Sequence, residues 1–252
     1  MSNPLFSSTL YPLYDQVDTS HAVSAIETII EENKRQLSLL IDEKNVSWET
    51  LASPMEELDD RLQRAWSVVS NLNSVMNSDE LREAYKQCVQ SITSYQTEIG
   101  QNEQLWKAYQ ALSESAEYEH YSQQKKQAIT HILRDFHLSG VDLVKEKKAK
   151  YLELSQLLAE KNNQFSDNVL DATQAWTLHQ PTDERLKGIP ESALDQARTA
   201  AKDRDLSGFV FTLDMPSYLP LVMYCDDREL RKEIYTAFCT RASDTGPNAG
   251  QW

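Results

Sequence analysis

The apolar positions of this chain fall at helical spacing over most of its length. Val23, Ile26, Ile30, Leu37 and Leu40 or Ile41 recur so as to share one side of a helix turning about 100° per residue. Thr19 or Ser20 stands where that helix needs a cap, and the pattern stops near residue 42. A short loop follows, with Trp48 and Leu51 placed to pack onto the helical body. Ser53-Pro54 then restarts the pattern, with a cap residue, a proline in the first turn, and Glu56 and Glu57 beside the positive helix end. Met55, Leu58, Leu62, Ala65, Val69 and Leu72 form the second stripe. Ser78 caps a third helix, with Leu81, Ala84, Tyr85, Cys88, Ile92, Tyr95 and Ile99 on one face and Gly100 at its end or at a kink. Leu105, Trp106, Tyr109 and Leu112 mark a shorter segment, and Ile129, Ile132, Leu133 and Phe136 a helix from about 123 to 137.

The longest helical pattern runs from about Val144 to Trp176. Leu154, Leu158, Phe165, Val169, Ala172 and Trp176 share a face there, widened by Leu157 and Leu170. Some 30 residues of helix would span about 45 Å, the length of a wall or spine. A polar loop from Thr182 to Gly188 and a small Ala-rich helix over 190–203 lead to the one sharp change of pattern. Phe209, Val210, Phe211, Thr212 and Leu213 read as a strand. Pro216 and Pro220 read as a bend that Tyr218 packs rather than a ligand groove that it lines. Asp226 and Asp227 start a return helix whose buried face is Leu230, Ile234 and Phe238. The fold class is therefore mainly α, a multi-helix body with a short β element near 208–214. The polar stretch 177–188 is the plausible domain boundary. No internal repeat occurs, and the stripes are too broad and interrupted for a coiled-coil rod.

Composition narrows the function classes. The 252 residues are 40% hydrophobic, enough for a substantial core. A net charge of −14 repels nucleic-acid phosphates and anionic membranes, so neither is an expected partner. No apolar run approaches the roughly 20 residues of a membrane span, and MSNPLFSSTLYPLYD lacks the basic start of a signal peptide. Three scattered cysteines, Cys88, Cys225 and Cys239, fit a reducing cytoplasm better than a disulfide framework.

Candidate chemistry is sparse. A zinc-peptidase helix needs two histidines four apart, and none of His21, His120, His131, His137 and His179 has that spacing. They read as surface or cap histidines. The carboxylate pairs Glu31-Glu32, Glu56-Glu57, Asp59-Asp60 and Asp226-Asp227 read as solvated faces, the second and last also complementing helix N-termini. Cys88 reads as core. GPNAG at 246–250 is turn-like but lacks the lysine and hydroxyl of a phosphate loop. No residue is assigned a catalytic, cofactor-binding or metal-binding role.

Five blocks carry a resemblance: LNSVMNSDELREAY (72–85), LRDFHLSGVDL (133–143), NQFSDNVLDAT (163–173), FTLDMPSYLPLVMYCDDRELRKEIYTAF (211–238) and TRASDTGPNAGQW (240–252). In order and content they resemble the N-terminal half of the thimet oligopeptidase family of zinc metallopeptidases. The resemblance implies a mainly helical, clam-like zinc oligopeptidase that cleaves short peptides in the cytoplasm within a deep, narrow channel. In that family two histidines of an HExxH helix and a downstream glutamate hold the zinc, and the HExxH glutamate activates its water. Those elements belong to the C-terminal half, and no position here matches them. The expectation is thus an N-terminal channel-wall region over 1–252, without its C-terminal catalytic domain. Alone, it is expected to hold no zinc and hydrolyse nothing; its partners would be short peptides and the missing catalytic half. Apolar surface that faces that half would favour self-association. The alternative is a stand-alone helical module binding a peptide or partner without catalysis. A spectrin-like structural bundle fits the composition but not the strand and prolines at 209–220.

Overall fold

The computed structural model describes residues 3–7, 9, 11–41 and 46–245, and its backbone forms two compact units, residues 1–160 and 161–252. The GPNAG run at 246–250 and the residues after it lie outside the described residues.

The first unit holds α1 (Thr19–Ile41), α2 (Ser53–Val75), α3 (Asp79–Gly100), α4 (Glu103–Ser113), α5 (Gln123–Leu138) and the start of α6 (Lys145–Ala175). The start of α1 is stabilised one residue earlier than Thr19: Asp18 accepts from the backbone N–H of Ser20 at 2.9 Å and from its hydroxyl at 2.8 Å. Ser78 caps α3 by accepting from Leu81 N–H at 3.2 Å. Ser53 is not a cap but the first residue of α2. A π-helical turn over Trp48–Ala52 runs directly into it, opened by a reciprocal Ser47–Thr50 capping box.

α1 lies against α2 and α3. Ile26, Ile29, Leu62, Val69, Cys88 and Ile92 meet in their shared core. The buried face of α1 is centred on Ala22, Ala25, Ile26, Ile29 and Leu37, displaced from the stripe expected through Val23. Alanines allow close helix approach yet register weakly in a hydrophobic pattern. Burial, with Glu27 nearby, pushes the Cys88 thiol up to about 12, as suits a core thiol. A second cluster joins α4, α5 and the π-turn through Leu51, Leu105, Leu112 and Ile129. Trp48 N–H donates to the Tyr121 hydroxyl at 2.9 Å, and the Lys125 ammonium lies 4.8 Å and 5.2 Å from the two ring centroids.

α6 departs from its expected packing. Of its predicted buried stripe, Ala172 is buried, whereas Leu154, Leu158 and Phe165 are 52%, 62% and 50% exposed. Leu157 is exposed as well. Apolar periodicity identifies a face, but a face is buried only where another element covers it.

The second unit holds the rest of α6, β1 (Thr177–Gln180), α7 (Glu191–Lys202), β2 (Phe209–Thr212), α8 (Met215–Tyr224) and α9 (Arg228–Cys239). β1 and β2 pair antiparallel, Leu178 opposite Phe211 and His179 opposite Val210. β1 falls where the sequence reads as polar loop, because a four-residue strand with one buried side chain, Leu178, has almost no period to detect. Gly208 takes φ +86°, and a Cβ there would lie 2.4 Å from the Gln180 carbonyl oxygen, so the strands meet only over a glycine. Ala193, Ala197 and Ala201 of α7 are buried, with Ala193 and Ala197 in the same core as Phe209 and Phe211.

The expected bend between Pro216 and Pro220 is instead part of α8. Pro216 sits in the first turn, where its N–H would have no helical partner. Pro220 forfeits only the bond it would have given to Pro216, and Tyr218 and Leu221 hold the short helix by burial. Tyr218 packs as read: its ring stacks on Phe238 at 4.0 Å and 16°.

Asp227 caps α9, accepting from Leu230 N–H at 2.9 Å and from Arg185 Nε at 2.6 Å. The Arg185 hydrogen bond first, then the cap, hold its carboxyl at about 2, below its ordinary value of 3.8. A depressed acid contributes stability above its unfolded pKa and loses it as pH falls through the folded one. Asp227→Asn is accordingly expected to lower the melting temperature at pH 7. The gap to the parent chain should close as pH falls from about 4 to about 2, as read by circular-dichroism melts. A gap that persists at pH 2 would show that the carboxylate charge is not its source.

Candidate functional site

Helical spacing builds one cavity in the first unit. Met55 and Asp59 lie one turn apart on α2, Tyr95 and Ile99 on α3, and Ile132 and Phe136 on α5. Together they border an open cavity of about 570 Å³, with Gln96, Gly100, Asp135 and Ser139 completing the lining. Met55, Ile99, Ile132 and Phe136 belong to the α4–α5 core cluster, so the cavity wall is the outer surface of a packed core.

Its two carboxylates differ. Asp135 Oδ1 accepts from Arg134 Nε at 2.9 Å and Nη2 at 2.7 Å. Asp59 is exposed and has no hydrogen-bond or ion-pair partner among the described residues; partial burial of its carboxyl first, then Asp60, pushes its pKa up. The sequence reading sets Asp59 and Asp60 together on a solvated face. Both are exposed, as that reading has them; Asp60 pairs with Arg64 at 2.7 Å, and Asp59 borders the cavity. Burial first, then the charges of Asp59 and Glu98, hold the Tyr95 hydroxyl above its ordinary value despite a hydrogen bond from Asn33. Asn33 is fully buried beside it, a polar core residue that the apolar pattern of α1 gave no reason to expect. Its Nδ2 donates to Leu58 O at 3.0 Å.

The histidines stay apart. His21 Nδ1 accepts from Asp18 N–H at the start of α1, His131 meets Gln127, His137 meets Asp142 at 3.3 Å, and His179 meets the Ser207 carbonyl. Among the described residues no three His, Cys, Asp or Glu side chains are grouped to hold a metal ion. The donor set among the described residues does not fit a zinc centre. Among the described residues no helix is long and apolar enough to cross a membrane.

Comparison with known proteins accounts for this scaffold. Residues 26–148 match the model of the neurolysin/thimet oligopeptidase N-terminal domain. The chain is 46% identical to oligopeptidase A of Haemophilus influenzae over 252 residues, all of this chain and 37% of that protein. It is 44% identical to oligopeptidase A of Escherichia coli over 253 residues, again all of this chain and 37% of the relative.

The chain belongs to the thimet oligopeptidase family.

Within the family it corresponds to the N-terminal part of an oligopeptidase A-like peptidase, and it spans a little over a third of the length of these relatives. A plant relative, a probable cytosolic oligopeptidase A of Arabidopsis thaliana, is 30% identical over 249 residues, 96% of this chain and 36% of its own length. The thimet oligopeptidase domain match covers α2, α3, α4 and α5 entirely, and so every residue lining the cavity.

Proposed function

We propose that residues 1–252 form the N-terminal, channel-wall region of a zinc-dependent oligopeptidase, a metalloendopeptidase that cleaves short peptides in the cytoplasm. The observation that carries the reading is 46% identity to an oligopeptidase A along the whole of this chain. The chemistry belongs to a C-terminal catalytic domain outside these residues. There, zinc would polarise the scissile carbonyl and activate a water. This region contributes a rigid helical wall that limits access to extended, short substrates. Alone, it hydrolyses nothing.

The test mixes the 252-residue chain with a separately produced protein comprising the part of an oligopeptidase A that this chain does not match. The readout is cleavage of a quenched short peptide. Cleavage by the mixture, abolished by a chelator and restored by zinc, with none from either component, is the expected result. Chelator-sensitive cleavage by the chain alone would overturn the assignment of catalysis elsewhere. A complex that forms by sedimentation, carries zinc and still cleaves nothing would favour a stand-alone peptide- or partner-binding module.

A further inference from the structure

We propose that the cavity between α2, α3 and α5 binds an organic ammonium carried on an apolar or aromatic body, with Asp59 as its counter-ion. The inference rests on the cavity itself and is independent of the peptidase reading.

Four observations carry it. The volume of about 570 Å³ is that of a small-molecule site. Met55, Ile99, Ile132 and Phe136 offer apolar surface to a ligand body. Among the described residues the only formal charges in the lining are two carboxylates, with no lysine, arginine or histidine, so an anion finds no cationic partner there. Both carboxylates stand at the exposed rim; Asp135 is already engaged by Arg134, and Asp59 is unpaired among the described residues.

A neutral apolar ligand would cover Asp59 and take water from it without compensation, which costs free energy. A ligand ammonium replaces that water with a charge-assisted hydrogen bond while its body covers Ile99, Ile132 and Phe136. Tyr95 adds an aromatic ring and a hydroxyl to the lining, and Gln96 an amide, so the ammonium has further acceptors within the same wall.

The test uses the full 252-residue chain and three probes of one size. Phenylalaninamide carries the ammonium, N-acetylphenylalaninamide lacks it, and 3-phenylpropanoate reverses the charge. Binding is followed by calorimetry and by the methyl resonances of Ile99 and Ile132. Saturable binding of phenylalaninamide alone, with both methyls shifting, is expected. Asp59→Asn should weaken it about tenfold or more, the worth of one charge-assisted bond. Asp60→Asn, one residue away and outside the lining, should leave it unchanged. Asp59 is exposed and makes no hydrogen bond or ion pair among the described residues, so Asp59→Asn should not lower the melting temperature, which separates loss of the site from loss of the fold. Equal binding of the acetylated probe, undiminished binding by Asp59→Asn, shifts confined to other methyls, or no saturation by phenylalaninamide would each overturn the proposal.

Discussion

Gly188→Ala is expected to destabilise the second unit by about 3–5 kcal/mol, the upper range for a single substitution. Two effects coincide at this position. Its φ is +91°, where a side chain is strained, and a Cβ would lie 2.2 Å from the Tyr224 carbonyl oxygen and 3.1 Å from Asp226 Oδ1. The closer atom is backbone, so no rotamer change relieves it. Nor can the loop withdraw. Asp226 N–H donates to Lys187 O at 2.8 Å, Cys225 Sγ donates to Arg185 O at 3.3 Å, and Arg185 pairs with Asp227 at 2.6 Å. Leu186 and Ile189, flanking the glycine, are 1% and 7% exposed, so any retreat drags apolar surface into water. Gly188→Asn separates the two causes, because asparagine tolerates the dihedral but carries the same Cβ. Both variants should be comparably damaged in chemical denaturation. A loss below about 1 kcal/mol for Gly188→Ala would show that the junction yields.

Phe211→Ala is expected to cost about 3–5 kcal/mol in the same unit. Phe211 is 1% exposed and shares its core with Leu213, Leu221, Leu230 and Ile234. Truncation removes transfer free energy and leaves a void that a small unit with a two-stranded sheet cannot collapse around. Leu158→Ala on α6 is the informative comparison. Leu158 is 62% exposed, so its truncation should stay within about 0.5 kcal/mol. Comparable losses at the two sites would contradict the burial assigned to α6 and restore the stripe expected from its sequence.

That comparison marks where sequence patterning stops. α3 is recovered almost residue by residue, cap and core face alike, because Leu81, Ala84, Cys88, Ile92 and Tyr95 face partners along its whole length. α6 shows an equally regular stripe, yet Leu154, Leu157, Leu158 and Phe165 are exposed and only Ala172 of it is buried. The prolines of α8 mislead for a related reason: a helix breaker breaks only the bonds its position requires, and neither Pro216 nor Pro220 removes more than one. The cavity was not legible at all. Met55, Tyr95, Ile99, Ile132 and Phe136 are visible as core positions, but nothing in the spacing of one helix tells which residues of three helices leave a space between them. Asp59 and Asp60 are adjacent, chemically identical and both exposed, and only the rotation of α2 against its neighbours decides that one pairs with Arg64 while the other borders the cavity unpaired.

By itself, the sequence determined the helical class, the main helix positions, the strand at 209–212 and the family, because these follow from local periodicity, capping chemistry and ordered motif blocks. Tertiary structure alone decided which apolar faces are covered, how β1 finds β2, and where an acid is left without a partner. Those outcomes depend on contacts between residues far apart in the chain, and contact geometry of that kind has no signature in the period of any one segment.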